Sequence, residues 1–333
     1  MRRCPALYCL LAALAVLTTA CGEGAIAEGD GPVLRYAYRP GDTLSYDVEL
    51  ATNMTMESAG ETALAVAMNG TMAMEVTERL ELAFAEGPDP ASIQITMTQE
   101  LLEGGARMVV LGQEQFIPFD QLAANVESEV VVVIDPQGKL LSASIGGVPL
   151  PAQLLTDLSA MTGGGSLQPQ QLGPEFPAEG VSVGDEWETS TSADVLGLGM
   201  TQTGRHRVAG EEEVLGRLTY RIDSQITTGK IVADLAGLIA ALRESPELMG
   251  GADAAQVDAA LAQFESLGVG MDFVMEESTA TMTTWFDPAA GIVVRSELES
   301  PVTMTMVMTG IPEAGDVAVS IEMTSSQQMT LAG

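Results

Sequence analysis

Along most of the chain, apolar and polar residues alternate one by one. In "DTLSYDVELATNMTME" the residues Leu44, Tyr46, Val48 and Leu50 alternate with polar neighbours. That period of two makes one face of a β-strand apolar. It recurs over 65–84, 91–101, 106–111 and 129–134, and again over 186–200, 202–209, 213–228, 271–286, 291–298, 302–309 and 316–330. Between these stretches stand "GPDP", "EGG", "DPQG", "AGEEE" and "DPAAG", which carry turn chemistry. The pattern predicts short antiparallel strands joined by hairpins.

Two stretches shift to helical spacing. "KIVADLAGLIAALRES" places Ile231, Leu235, Leu238 and Leu242 on one stripe, and Pro246 follows it. "DAAQVDAALAQFESLG" places Val257, Leu261, Phe264 and Leu267 on another, with Asp253 as N-cap and Gly268 as the stop. Together they predict a helical hairpin over 231–267. Shorter helical candidates lie at Phe119 to Glu127 and Ala152 to Met161.

The segment 163–180, "GGGSLQPQQLGPEFPAEG", is rich in Gly, Pro and Gln and reads as a linker. The chain repeats itself on either side of it. "RPGDTLSYDVEL" resembles "SVGDEWETSTSA", and "VVVIDPQGKLLSAS" resembles "TTWFDPAAGIVVRS", in the same order. The expectation is a duplicated β-unit, 33–162 and 181–333. The fold class is mainly β with inserted helices: a curved antiparallel sheet or unclosed barrel, with the helical hairpin as a lid.

The first twenty residues stand apart from this pattern. Arg2 and Arg3 precede the apolar run Pro5 to Leu17, which is short for a membrane span and suits a signal peptide. The run ends in "LTTAC". This resembles the lipobox of bacterial lipoproteins, although Thr18 stands where such motifs usually carry Leu, Val or Ile. The resemblance implies a signal peptide over 1–20 and a mature chain that starts at Cys21, with its sulfur diacylated and anchored in a membrane. Gly22 in place of Asp favours the outer membrane of a two-membrane cell. Otherwise the anchor sits in the outer face of the cell membrane. "GEGAIAEGDGP", within 21–32, would be a flexible tether.

Composition narrows the chemistry. Cys4 and Cys9 would leave with the signal, so no disulfide framework or cysteine metal site would remain within one mature chain. The 14 Lys and Arg residues, less Arg2 and Arg3, face 46 acidic ones, a net charge near −34. Such a surface repels nucleic acid and anionic lipid headgroups. No Gly-x-Ser-x-Gly elbow, P-loop or dinucleotide fingerprint occurs. His206, the only histidine, lies in "TGRHRVAG", which reads as an exposed strand. The expectation is a protein that is not an enzyme, with no catalytic residues, no cofactor and no metal.

Methionine is the unusual component: 19 Met stand beside seven Phe and two Trp. In "PVTMTMVMTG", Val302, Met304, Met306 and Met308 form one strand face, opposite one that is mostly Thr. Thioethers are soft ligands for Cu(I). No His or Cys accompanies any methionine cluster, however, and strand burial alone accounts for the alternation. Three readings stay open: a core face, a surface for varied apolar partners, and copper binding.

A lipobox, then a strand-rich body, then amphipathic helices within it: this order resembles the LolA-type and mycobacterial lipid-carrying lipoproteins. The resemblance implies a curved sheet that holds acyl chains beneath helices. Met304, Met306, Met308, Leu235, Leu238, Leu261 and Phe264 would then line the ligand. The alternative is a structural or interaction lipoprotein of the cell envelope.

Overall fold

The computed structural model describes residues 32–59, 66, 68–89, 92–118, 129–145, 148–149, 173–195, 198–234, 270–311 and 315–332. All fifteen described elements are strands: β1 (Thr43–Ala59), β2 (Gly70–Glu86), β3 (Ile93–Val110), β4 (Gln113–Pro118), β5 (Val130–Ile134), β6 (Leu140–Ile145), β7 (Val148–Pro149), β8 (Glu186–Val195), β9 (Leu198–Val214), β10 (Arg217–Thr228), β11 (Ile231–Asp234), β12 (Gly270–Met275), β13 (Ser278–Asp287), β14 (Ile292–Ile311) and β15 (Gly315–Leu331). They form one antiparallel sheet of order β7-β6-β5-β3-β2-β1-β15-β14-β13-β10-β9-β8, which does not close into a barrel. β4 pairs with β3, and β12 pairs with β14 and β11.

The sheet curls, and its aromatic rings show by how much. Seven strand spacings separate β2 from β8, roughly 33 Å in a flat sheet. Yet Phe84 of β2 reaches Trp187 of β8 through Tyr38, Tyr36 and Phe176, in ring steps of 4.3, 5.6, 5.1 and 6.4 Å. Side chains from β1, β2, β3, β5, β8, β9, β10, β13, β14 and β15 thus share one buried core with Leu34, Tyr36, Tyr38, Phe176 and Val181. These last five belong to extended segments outside the strands.

Four corrections to the sequence pattern follow. "EGG" is not a turn: its three residues pair with β2 as part of β3, and the bulged extra residue is Leu102 just before it, opposite Thr77 and Glu78. "AGEEE" likewise continues β9, with its bulge opposite Arg221 and Ile222. The expected helix at Ile231 begins instead as β11, because Ile231 to Asp234 pair with β12. Beyond Asp234 the predicted helical lid, with Leu235, Leu238, Leu261 and Phe264, lies outside the described residues, as do the shorter helical candidates. The described part of the expected linker, from Gly173 on, packs into the core. There Phe176 is 2% exposed, its N–H donates to Gln137 O, and Tyr36 Oη donates to Pro174 O.

The predicted strands 291–298 and 302–309 are one strand, β14, despite Pro301. The proline falls where β14 changes partner, from β13 at Glu299 to β12 at Met304, so its missing N–H breaks no ladder bond.

The repeated landmarks make matching contacts. Gly41 (φ +91°) donates to Phe84 O, and Phe84 N–H to Asp42 O; Gly184 (φ +99°) donates to Val208 O, and Val208 N–H to Asp185 O. Asp135 Oδ1 accepts from the N–H groups of Gln137 and Lys139, and Asp287 Oδ1 from those of Ala289 and Ala290, all at 2.9 Å. The segment 36–37 links the two Asp turns, since Tyr36 N–H donates to Pro136 O and Ala37 N–H to Gly291 O. Gly291 (φ +68°) is needed there: a Cβ would lie 2.4 Å from the Ala37 nitrogen.

Candidate functional site

Strand register sorts the inward face into three zones. The hairpins at Asp135 and Asp287 close the aromatic end, where rings fill the core. At the opposite end, Met54, Met308, Val317, Val319 and Ile321 form a second buried cluster. Met56, Met68, Met72, Met271, Met304 and Met306 pack against it, half-buried. The sequence-predicted residues Met304, Met306 and Met308 therefore share one apolar face, opposite Ile321, Val319 and Val317 of β15. Cross-strand pairing extends the methionines sideways: Met108 opposes Met72, Met72 opposes Met54, and Met54 opposes Met323. Four adjacent strands thus present a continuous methionine row.

Between the two apolar ends runs a buried polar belt, which the sequence reading missed. Thr52 of β1, Ser325 of β15 and Ser300 of β14 are register neighbours, at 8%, 5% and 3% exposure. The hydroxyls of Thr52 and Ser325 are 3.1 Å apart. On β9 and β10, Gln202 donates its amide to Thr228 at 3.3 Å, while its Oε1 is buried without a partner.

His206 belongs to this inward face, which corrects its reading as a surface residue. The flanking Arg205 and Arg207 point outward to Glu188 and Glu186, so strand alternation turns the imidazole in. Its Nε2 lies 3.0 Å from Thr189 Oγ1, its Nδ1 lies 2.9 Å from Ser224 Oγ, and the ring stacks on Trp187 at 5.1 Å. Burial pushes its pKa down to about 4, so it is neutral near pH 7. Gly204 makes room for it: a Cβ there would sit 2.5 Å from Thr189 Oγ1 and 2.7 Å from His206 Nε2.

Glu78 also faces inward, at 7% exposure, in register with Val48. Burial pushes its pKa up to about 7, against the opposing effect of the hydrogen bond from Gln99 Nε2 at 3.2 Å. Alternation alone could have flagged Glu78, Thr52 and His206, since each occupies an inward parity position in its own strand.

The outward face is charged and paired. Arg79 bonds Asp47, Arg221 bonds Asp223 and Glu212, and Lys230 bonds Glu276, all within 3.1 Å. Such exposed pairs are worth roughly 0–1 kcal/mol each. Two shallow grooves lie on this side. One of about 760 Å³ runs beside Arg205, Arg207 and Arg221, and one of about 1080 Å³ beside Glu75, Glu299 and Phe116. Among the described residues no group of three or more His, Cys, Asp or Glu is placed to hold a metal ion. Cys21 lies outside the described residues.

The sequence matches no known family profile and no curated protein. Among solved structures it is similar to an outer membrane channel from Pseudomonas putida F1, at 6% identity, covering 92% of this chain and 100% of that one, with a TM-score of 0.23. A second is DynF from the dynemicin biosynthesis pathway of Micromonospora chersina, at 9% identity, covering 94% and 93%, with a TM-score of 0.19. A third is an outer membrane lipoprotein-sorting protein domain from Vibrio parahaemolyticus, at 8% identity, covering 86% and 83%, with a TM-score of 0.11. Scores of this size mark no shared fold, and no function follows from them.

Proposed function

We propose that this chain is an exported lipoprotein, anchored through Cys21, whose curled sheet binds a lipid or other apolar ligand at its methionine-lined end. The continuous methionine face carries this reading. The aromatic end is filled by locked rings, whereas at the opposite end a small buried Val, Ile and Met cluster is flanked by unbranched, adaptable thioether side chains that remain half-buried. Methionine surfaces of that kind accommodate apolar partners of varied shape. Val181 N–H donates to Pro32 O, so the described chain begins beside the aromatic core, and the methionine end lies some 13 residues up β1 from there, roughly 45 Å at strand rise. We also read the halves 33–162 and 181–333 as one duplicated unit. Their matching turn contacts support it, as do their parallel neighbour orders, β1-β2-β3-β5-β6 and β8-β9-β10-β13-β14.

Cys21→Ser separates the anchor from the body. The variant should leave the membrane fraction and lose labelling by a fatty-acid analogue; retained labelling would end the lipoprotein reading. The released protein should carry an acyl species in native mass spectrometry and bind a fluorescent fatty-acid methyl ester probe. Met304→Glu with Met306→Glu should lower that probe binding at least tenfold. A bare protein that binds no probe would be a structural envelope lipoprotein. A stoichiometric Cu(I) complex would restore the copper reading.

A further inference from the structure

We infer that the ligand of the methionine face is an uncharged amphiphile, with a hydroxyl-bearing head at the polar belt and its hydrocarbon along the methionine rows. The inference rests on the carrier reading above and names the class of molecule carried.

The belt is the observation that needs an account. An interior between two apolar clusters would be cheapest if it were apolar throughout, because a hydroxyl or amide buried without a partner loses its hydrogen bonds to water and regains none. Here Thr52, Ser300 and Ser325 occupy neighbouring positions on three adjacent strands, directly below the row Met72, Met54 and Met323. Gln202, at 2% exposure, uses its amide nitrogen on Thr228 and leaves its carbonyl oxygen without a donor among the described residues. That oxygen asks for an O–H or N–H, while the Ser and Thr hydroxyls can give or accept. The surroundings therefore match a head with hydroxyls and not a bare hydrocarbon.

Charge decides the rest. Every described lysine and arginine lies outside the inward rows; those on the strands project to the opposite face. A phosphate or carboxylate head at the belt would be buried with no counter-charge, losing its hydration with nothing to offset the loss. Glu78 on the same face adds repulsion whenever it is ionised. The distance also suits an acyl chain. From Ser300 to Met308 the strand rises roughly 27 Å, apolar on this face from Val302 onward.

The test uses the Cys21→Ser protein with a bound fluorescent fatty-acid methyl ester, an uncharged probe, displaced by four competitors: monooleoylglycerol, oleate at pH 8, dioleoylphosphatidylglycerol and octadecane. Monooleoylglycerol should displace the probe at a concentration at least tenfold below the other three. Ser300→Ala with Ser325→Ala removes two belt hydroxyls with little change in volume. It should erase that tenfold preference while leaving displacement by octadecane unchanged. If an anionic lipid competes equally, or the preference survives the double substitution, this inference is overturned while the carrier reading stands. If none of the four competes, both fall together.

Discussion

Phe176→Ala should destabilise the protein by about 3–5 kcal/mol, the usual cost of emptying a buried aromatic position. Phe176 is 2% exposed, with ring centroids 4.7 Å from Phe286, 5.1 Å from Tyr36 and 6.4 Å from Trp187. It connects the strand-free segment at 36–38 to β8, so its loss removes ring contacts on both sides of the curl. Urea unfolding of the Cys21→Ser protein reads the change. Val183→Ala is the control, since Val183 is 51% exposed in the same stretch of chain and should shift stability by no more than about 0.5 kcal/mol. If 173–180 acted as a linker, the two variants would behave alike, and the filled aromatic end would be wrong.

The second large effect is a slope and not a level. Glu78 has a folded pKa of about 7 against an ordinary value of 4.5, and His206 about 4 against 6.5. Between pH 4.5 and 7 the native state keeps a proton on Glu78 that the unfolded chain has lost, so this group makes stability fall as pH rises. Between pH 6.5 and 4 the unfolded chain takes up a proton that buried His206 refuses, so this group makes stability fall as pH drops. Each is worth about 3 kcal/mol across its window. From pH 4.5 to 6.5 the two proton counts cancel, and their joint contribution is flat. Glu78→Gln exposes the histidine: stability should then climb by about 3 kcal/mol, relative to the parent curve, from pH 4.5 to 7, and exceed the parent above pH 7. His206→Gln exposes the carboxyl, and the difference curve should slope the other way from pH 4 to 6.5. Differences between variant and parent remove the many other carboxylates. Two difference curves of equal slope sign would show that one of these groups is not buried as described.

What the chain reveals by itself is local. The period of two in "DTLSYDVEL" or "VTMTMVMT" fixes which residues share a strand face, because successive side chains point to opposite sides whatever the partner is. That is why Met304, Met306 and Met308 could be assigned to one face before any pairing was known. The turns at Asp135 and Asp287 were equally legible. An Asp side chain closes its own turn by accepting N–H groups two to four residues on, and needs nothing distant.

Other features depended on partners far away in sequence. "EGG" contains the same glycines whether it turns or continues a strand, and the choice fell to β2, which pairs with all three residues. Ile231 suits the start of an apolar helical stripe, but its backbone N–H and C=O groups found β12 instead. His206 between two arginines looks exposed by composition, yet alternation between outward Arg205 and Arg207 buried it against Trp187. Phe176 sits among Gly, Pro and Gln, a composition with no periodicity to flag it. Only a sheet curled enough to bring β2 and β8 within reach of the same rings makes its position a core. Strand faces were therefore decided by backbone geometry, which acts residue by residue. The core, the belt and the methionine row were decided by register between strands, which brings Thr52 beside Ser325 across 273 residues of chain.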